Sequence, residues 1–451
     1  MSMATGAGWW RPESAPTSRV PAGAFPDGAE SQGDNPIPFR ALLAFTFVLL
    51  VAPQSFVPGL GSLRIGMLTA AAAITAYLFD CVARRRPVVR MSRELWITSI
   101  LLLWAVLTLP FSYWPGGSLS LLLEGYFKTL AIFWLLPNVV TTLPRLRRIA
   151  WALSLMSAPL AAYGIKQFLA GRFIDDGSVK RIAAYEAPLT QNPNDLALML
   201  NLILPLAIAL FLTGRPKTRA LLLGLIALDA AAVILTFSRA GFLTLATTIA
   251  LYVARLLGRP RGRGIAIAAV VLVLIAVPFL PGGYMERLST ITDIKTDPTG
   301  SAQERWADTI AALRFILHHP VVGAGVGMNI LALNEVRGPE WKQVHNVYLE
   351  YAVDLGIPGL VLFVMLLLGC LRAAAGARRT AGAAGSGEPA LLAEGLQASL
   401  IAFAVAAVFH PVAYHFYFYY IAGLALAARG VIARGAVIGW PPPAGLGEAA
   451  A

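Results

Sequence analysis

Charge is scarce in this sequence. Only 13% of its 451 residues are Asp, Glu, Lys or Arg, against about 25% in an average soluble domain. A soluble globe of this length could not cover its surface with so few, because charged side chains are rarely left inside. An ordinary soluble enzyme is therefore excluded. Cysteine is scarcer still. Cys81 and Cys370 are the only two and lie far apart, so neither a disulfide framework nor a cysteine metal site can be built. No P-loop and no dinucleotide fingerprint occurs. Acidic residues number 24 against 36 Lys and Arg, giving a net charge of +12. What is abundant is apolar: 57% of residues are hydrophobic and the mean hydropathy is +0.67. That content excludes a disordered or collagen-like chain and leaves an all-α polytopic membrane protein.

Residues 1–38 are rich in Gly, Ala, Pro and Ser and read as a disordered cytoplasmic tail. Twelve apolar segments of spanning length follow. They lie near 40–58, 62–82, 95–112, 119–139, 149–170, 194–213, 220–237, 239–256, 264–281, 346–371, 390–410 and 414–429. Spans 1–9 thus occupy residues 39–281 and spans 10–12 residues 346–430, before a second cytoplasmic tail, 431–451. The connections that fall inside carry Arg84–Arg86, Arg145, Arg147 and Arg148, Arg215–Arg219, Arg255–Arg263 and Arg372–Arg379. This alternation obeys the positive-inside rule. The basic balance is therefore topological, with membrane lipids rather than nucleic acid as its partner.

Two outer connections are long, 171–193 and 282–345. The second contains Ser301-Ala-Gln-Glu304, a capping-box pattern. Trp306, Ile310, Leu313 and Leu317 recur behind it at helical spacing, with Arg305, Asp308 and Arg314 interleaved. An amphipathic helix ending at Pro320 is expected, so 282–345 reads as a large helical periplasmic loop. Gly323, Gly325 and Gly327 read as a tight turn rather than a phosphate cradle.

Unusual polar residues gather on the outer side: Lys180 and Arg181, then Asn194 in Gln191-Asn-Pro-Asn-Asp195, Arg239 in Thr236-Phe-Ser-Arg239, and His345-Asn346. Here the sequence resembles the bacterial O-antigen ligase and polymerase family of membrane glycosyltransferases. The resemblance rests on His345-Asn346, nine residues, then Gly356-Ile-Pro-Gly359, and on the stretches TFSRAG and HHPVVGAGVG. A polymerase feature, Arg then ten intervening residues then Gly, occurs at Arg314 and Gly325. The same pattern fails at Arg181, because residue 192 is Asn.

The resemblance implies a GT-C-like fold in the inner membrane with its active site facing the periplasm. The donor would be a glycan on polyprenyl diphosphate. The acceptor would be a lipid A-core hydroxyl for a ligase, or another lipid-linked glycan for an O-antigen or exopolysaccharide polymerase. It also implies inversion at the anomeric carbon. The charge released on the leaving diphosphate needs a counter-charge. Asp175-Asp176 is the only adjacent acidic pair and has no ligand-spaced His or Glu nearby, so no metal or other cofactor is expected. Arginine grips phosphate oxygens in a bidentate fork, which makes Arg181 and Arg239 the candidate clamp. His345 is the candidate base for the acceptor hydroxyl. Lys180, Asn194, Asn346, Tyr348, Glu350, Lys166 and Arg314 are candidate substrate contacts, and Asp354 shares a helical face with Glu350.

Other polar residues suggest structural roles. His318 and His319 suit a helix C-terminus, and His410 and His415 an interface belt. Glu124 and Lys128 are spaced for a helical ion pair. Asp229, in the seventh span, must pair with another span or carry a proton. A transporter or flippase is the rival from another class, but it would place its polar groups near the bilayer midplane.

Overall fold

The computed structural model describes residues 35–438, less positions 58, 89, 177, 178, 186, 188, 191, 292–296 and 298. The expected tails fall mostly outside this range. Helices account for nearly all the regular structure: α1 (Ile37–Val51), α2 (Ile65–Ala83), α3 (Arg93–Leu107), α4 (Pro115–Leu121), α5 (Phe127–Val139), α6 (Leu143–Leu169), α7 (Pro193–Thr213), α8 (Pro216–Leu235), α9 (Arg239–Leu257) and α10 (Arg263–Ala276). The segment 282–345 holds α11 (Tyr284–Ser289), α12 (Ser301–His318) and α13 (Asn329–Arg337). The chain returns to long helices with α14 (Val347–Ala383), α15 (Gly387–Ala406) and α16 (Phe416–Ile438). The exception to an all-α chain is a short antiparallel pair, β1 (Ile174–Asp176) with β2 (Val179–Arg181), in the first long connection.

Each of the twelve apolar segments became a helix. Among the described residues, nine are long and apolar enough to cross a membrane. The helices at 37–51, 93–107 and 263–279 fall below that length. α14 also outruns its expected end at 371. Arg372, Arg378 and Arg379 lie within it, because the Ala-rich stretch around them favours helix. Helices α7, α15 and α16 form the buried centre, with α2 and α8 at the periphery. Between α4 and α5 the chain makes a π-turn, Leu122–Tyr126. That widened turn breaks the spacing of Glu124 and Lys128, which form no ion pair.

Glycine geometry fastens the loop 320–328 to α14. Gly356 sits at φ +69°, which breaks α14, and a Cβ there would lie 2.2 Å from the Val321 carbonyl oxygen. Across this break Ile357 N–H donates to the Pro320 carbonyl (2.8 Å), and Gly325 N–H donates to the Asp354 carbonyl (2.8 Å). Gly325 has φ +98°, and its missing Cβ leaves room for Ser112. The glycine cluster is thus a docking turn, as its composition suggested. The motif glycine Gly356 fixes the same junction.

The expected capping box does not form. The start of α12 is held instead by Asp297, whose Oδ2 accepts from Ala302 N–H at 2.9 Å. Ser301 already lies inside the helix, and Glu304 pairs with Lys342 at 2.8 Å. The buried face of α12 is Asp308, Ala311, Ala312, Phe315 and Ile316, and it leaves Trp306, Leu313 and Leu317 exposed. The apolar stripe therefore faces away from the protein.

Candidate active site

Three helix starts supply the site. Asn192 caps α7 through backbone N–H groups of Asn194 and Asp195. Ser238 caps α9 through Gly241 N–H, which makes Arg239 its first residue. Asn346 caps α14 just after His345. Helix N-termini carry partial positive charge and favour anions.

Asn194 ties these parts together. Its Oδ1 accepts from Arg181 Nη2 at 2.8 Å and from Ser238 Oγ at 2.7 Å. Arg181 is buried and also donates through Nε to the Thr236 carbonyl at 3.2 Å. Thr236 and Ser238 flank Phe237, whose φ of +53° makes the sharp turn that delivers Arg239. Asn194, His345 and His410 border one cavity of about 220 Å³, together with Asn192, Asp195 and Gln343.

Arg239 Nη1 donates to Thr290 Oγ1 at 2.8 Å and to Asp297 Oδ2 at 3.0 Å. Arg287 reaches the other carboxylate oxygen at 2.7 Å. Asp297 is held down to about 2. Burial alone would raise it, but hydrogen bonds from Thr299 and Ala302 and the charges of Arg239 and Arg287 outweigh that. Arg305 on α12 stands in the same field and, among the described residues, has no side-chain partner. Burial, then the charges of Arg239, Arg181 and Arg287, push its guanidinium down to about 10. It stays protonated at neutral pH beside three other cations, with the Asp297 carboxylate raising it only in part.

His345 is pushed down to about 4, first by burial and then by the positive charge of Arg305. Its imidazole is therefore neutral at pH 7 and can accept a proton. Asp308 Oδ2 stands 3.9 Å from its Nδ1, and the other carboxylate oxygen, Oδ1, pairs with Arg337. His410 departs from its expected place in an interface belt. It is 1% exposed, and its ring nitrogens face the Ala406 carbonyl at 2.8 Å and the Asn194 carbonyl at 3.2 Å. Burial and Arg305 push it down to about 4 as well. The turn between α15 and α16 folds inward over the α7 start, which sequence distance concealed. His415 stays exposed at the rim of the cavity.

The structure thus brings together Arg181, Arg239, Asn194 and His345. Other candidates lie elsewhere or are otherwise engaged. The backbone of Lys180 pairs with Asp175 across the hairpin, and its side chain lies outside the described positions. Asn346 Oδ1 accepts from Tyr348 and Leu349 N–H, so it caps a helix rather than facing substrate. Tyr348 donates to the Ala404 carbonyl at 2.9 Å. Glu350 is buried and accepts from Ala413 N–H at 3.0 Å, holding the turn that carries His410. Asp354 accepts from Gly327 N–H and the Tyr414 hydroxyl. Lys166 is exposed near the end of α6, with no side-chain partner among the described residues. Arg314 is exposed on α12. Nine residues at about 100° each put it half a turn from Arg305, away from the other arginines. Its carbonyl accepts from His318, as a helix end would use that histidine, and His319 stacks on Phe315. Asp229 accepts from Ser157 of α6 at 2.8 Å, a pairing between spans.

Among the described residues, no three His, Cys, Asp or Glu side chains converge as metal ligands. Arg287, Arg305, Asp297 and His410 were the members that sequence reasoning missed. The one available signal was Arg305 and Asp308, charged residues three apart on a helix otherwise rich in apolar groups.

No curated protein matches the chain. Residues 223–364 match a family model described as O-antigen ligase, a stretch that contains Arg239, Arg287, Arg305, His345 and Gly356. That stretch is just under a third of the chain, and the family it matches agrees with the one that the histidine motif resembles.

Proposed function

We propose that the protein is a metal-independent inner-membrane glycosyltransferase that moves a glycan from polyprenyl diphosphate to an acceptor hydroxyl. In this reading all twelve apolar helices cross the membrane and 282–345 is periplasmic. The observation that carries it is the double use of Asn194. Its Oδ1 joins Arg181 to the turn bearing Arg239, and the same residue borders the cavity that holds His345.

The donor diphosphate sits among Arg181, Arg239, Arg287 and Arg305. Arg305 has no side-chain hydrogen bond or ion pair among the described residues, so it takes a phosphate oxygen directly. Preorganised charge of this kind is usually the largest catalytic contribution. The acceptor oxygen attacks the anomeric carbon as the bond to the diphosphate oxygen breaks. The electron pair leaves with the diphosphate, and the acceptor proton passes to neutral His345. Diphosphate bound to Arg305 offsets the charge that depresses His345, so donor binding strengthens the base.

The acceptor in our leading reading is lipid A-core, as for a ligase; a polymerase would use a second lipid-linked glycan. Reconstitution of the full chain in liposomes with a lipid-linked oligosaccharide and each acceptor separately tests this. Glycosylated lipid A-core is expected. Product on lipid-linked glycan alone would make it a polymerase, and no transfer to any hydroxyl acceptor would end the transferase reading.

A further inference from the structure

A second cavity, of about 600 Å³, lies where the segment after α1 meets the start of α2 and the π-turn Leu122–Tyr126. None of its lining residues lines the His345 cavity. Its polar walls are Arg64, Lys128, Glu124 and Gln54, and its apolar walls include Met67 and Leu123. Arg64, Lys128 and Glu124 are exposed and, among the described residues, have no side-chain partner. The Gln54 Oε1 atom is buried and, among the described residues, has no donor. Arg64 is held at φ +46°, a conformation uncommon for a residue with a side chain and found disproportionately at ligand sites. A π-turn is likewise enriched at functional sites.

These features define a ligand. Two cations and one carboxylate leave one unbalanced positive charge, which a monoanionic phosphodiester neutralises. Glu124 and Gln54 Oε1 are acceptors and require donors such as hydroxyls. Met67 and Leu123 are about half exposed beside the polar groups and offer a surface for hydrocarbon. An arginine, a lysine and the free end of α2 together suit a phosphate.

We propose that this cavity binds the head of a hydroxyl-bearing phosphodiester lipid, its phosphate between Arg64 and Lys128 and its hydroxyls on Glu124 and Gln54. The assignment goes beyond the transferase reading and does not depend on it. Phosphatidylglycerol supplies this head with acyl chains, and glycerol 3-phosphate supplies a related head without them.

The full chain in mild detergent, measured by native mass spectrometry, tests the proposal. Phosphatidylglycerol should be retained at least fivefold better than phosphatidylcholine, and an equal concentration of glycerol 3-phosphate should not displace it. The double variant Arg64→Gln/Lys128→Gln should lower its retention at least threefold while leaving phosphatidylcholine unchanged. A photoreactive phosphatidylglycerol should label the peptides containing Met67 and Leu123 in the wild-type chain, which decides the matter even if the double variant fails to fold. Labelling elsewhere only, unchanged retention in the variant, or displacement by glycerol 3-phosphate would each overturn the assignment.

Discussion

Asp297 binds Arg239 and the start of α12 with the same oxygen. Its Oδ2 accepts from Arg239 Nη1 at 3.0 Å and from Ala302 N–H at 2.9 Å. The helix that carries Arg305 is therefore anchored by the same carboxylate that holds Arg239. Asp297→Ala should cut transfer at least tenfold, because it frees the start of α12 and removes the carboxylate that Arg239 and Arg287 share. Asp297→Asn should recover part of the loss, since the amide oxygen can still accept one hydrogen bond. The comparison is made by turnover of the two purified variants. Equal activity of Asp297→Ala and wild type would show that α12 needs no such anchor.

Arg239→Lys should lower kcat/KM by roughly 100-fold, because a point charge cannot replace a planar fork. Arg305→Ala should cost a similar factor, and Arg314→Ala should stay within about twofold of wild type. The three are read side by side in the reconstituted transfer assay, with membrane abundance as the control. A large loss in Arg314→Ala would place the diphosphate on the other face of α12.

His345→Ala should reduce transfer by about 100-fold or more at unchanged abundance. The pH profile separates a base from a merely structural imidazole. Burial and Arg305 hold His345 at about 4, below the ordinary value of about 6.5. The neutral form is the competent one, so kcat/KM should stay level as the pH falls past 6.5 and decline only on approaching 4. The kcat profile should turn down at higher pH than that, because bound diphosphate offsets Arg305. An acid limb of kcat/KM at 6.5 or above would remove His345 as the base of the free enzyme.

The same shifts bear on stability. Between about 6.5 and about 4 the unfolded chain binds a proton at His345 that the folded chain does not. Stability from this group is complete above that window and is lost as the pH falls through it. Asp297, depressed to about 2, acts in the same direction lower down, with its contribution present above about 3.9 and lost as the pH drops toward 2. Thermal unfolding in detergent at pH 7 and pH 5 should show a fall in Tm that is smaller in His345→Ala.

Gly356→Ala should destabilise the fold by roughly 1–3 kcal/mol, since it combines strained backbone with a Cβ aimed at the Val321 carbonyl. A lower Tm with wild-type turnover per folded molecule is expected at low temperature. Unchanged Tm would mean the break in α14 is not fixed by this residue.

Addition of EDTA should leave transfer unchanged, as an arginine clamp requires. Loss of activity restored by a divalent cation would overturn the metal-free mechanism.

Hydropathy located each of the twelve apolar helices, because a lipid-facing segment must be apolar along its whole length whatever packs beside it. Arg181, Arg239 and His345 were visible because each lies at or near a connection, where a polar residue interrupts an apolar pattern. The rotation of α12 was not visible. The spacing of Trp306, Ile310, Leu313 and Leu317 left open whether their face meets membrane or protein, and the protein buries the face of Asp308 and Phe315. That choice is made by Asp297, which precedes the helix, and by glycines that dock on α14, and neither leaves a periodic signal. His410 illustrates the same limit, since it faces Asn194 across 216 positions of chain. The sequence by itself determined the helices, the candidate arginines and histidine, and the family motif, because these depend on residue type and local spacing. Only the tertiary structure decided which charges share a site, because that depends on long-range backbone contacts and on hydrogen bonds that bring distant loops over the same helix ends.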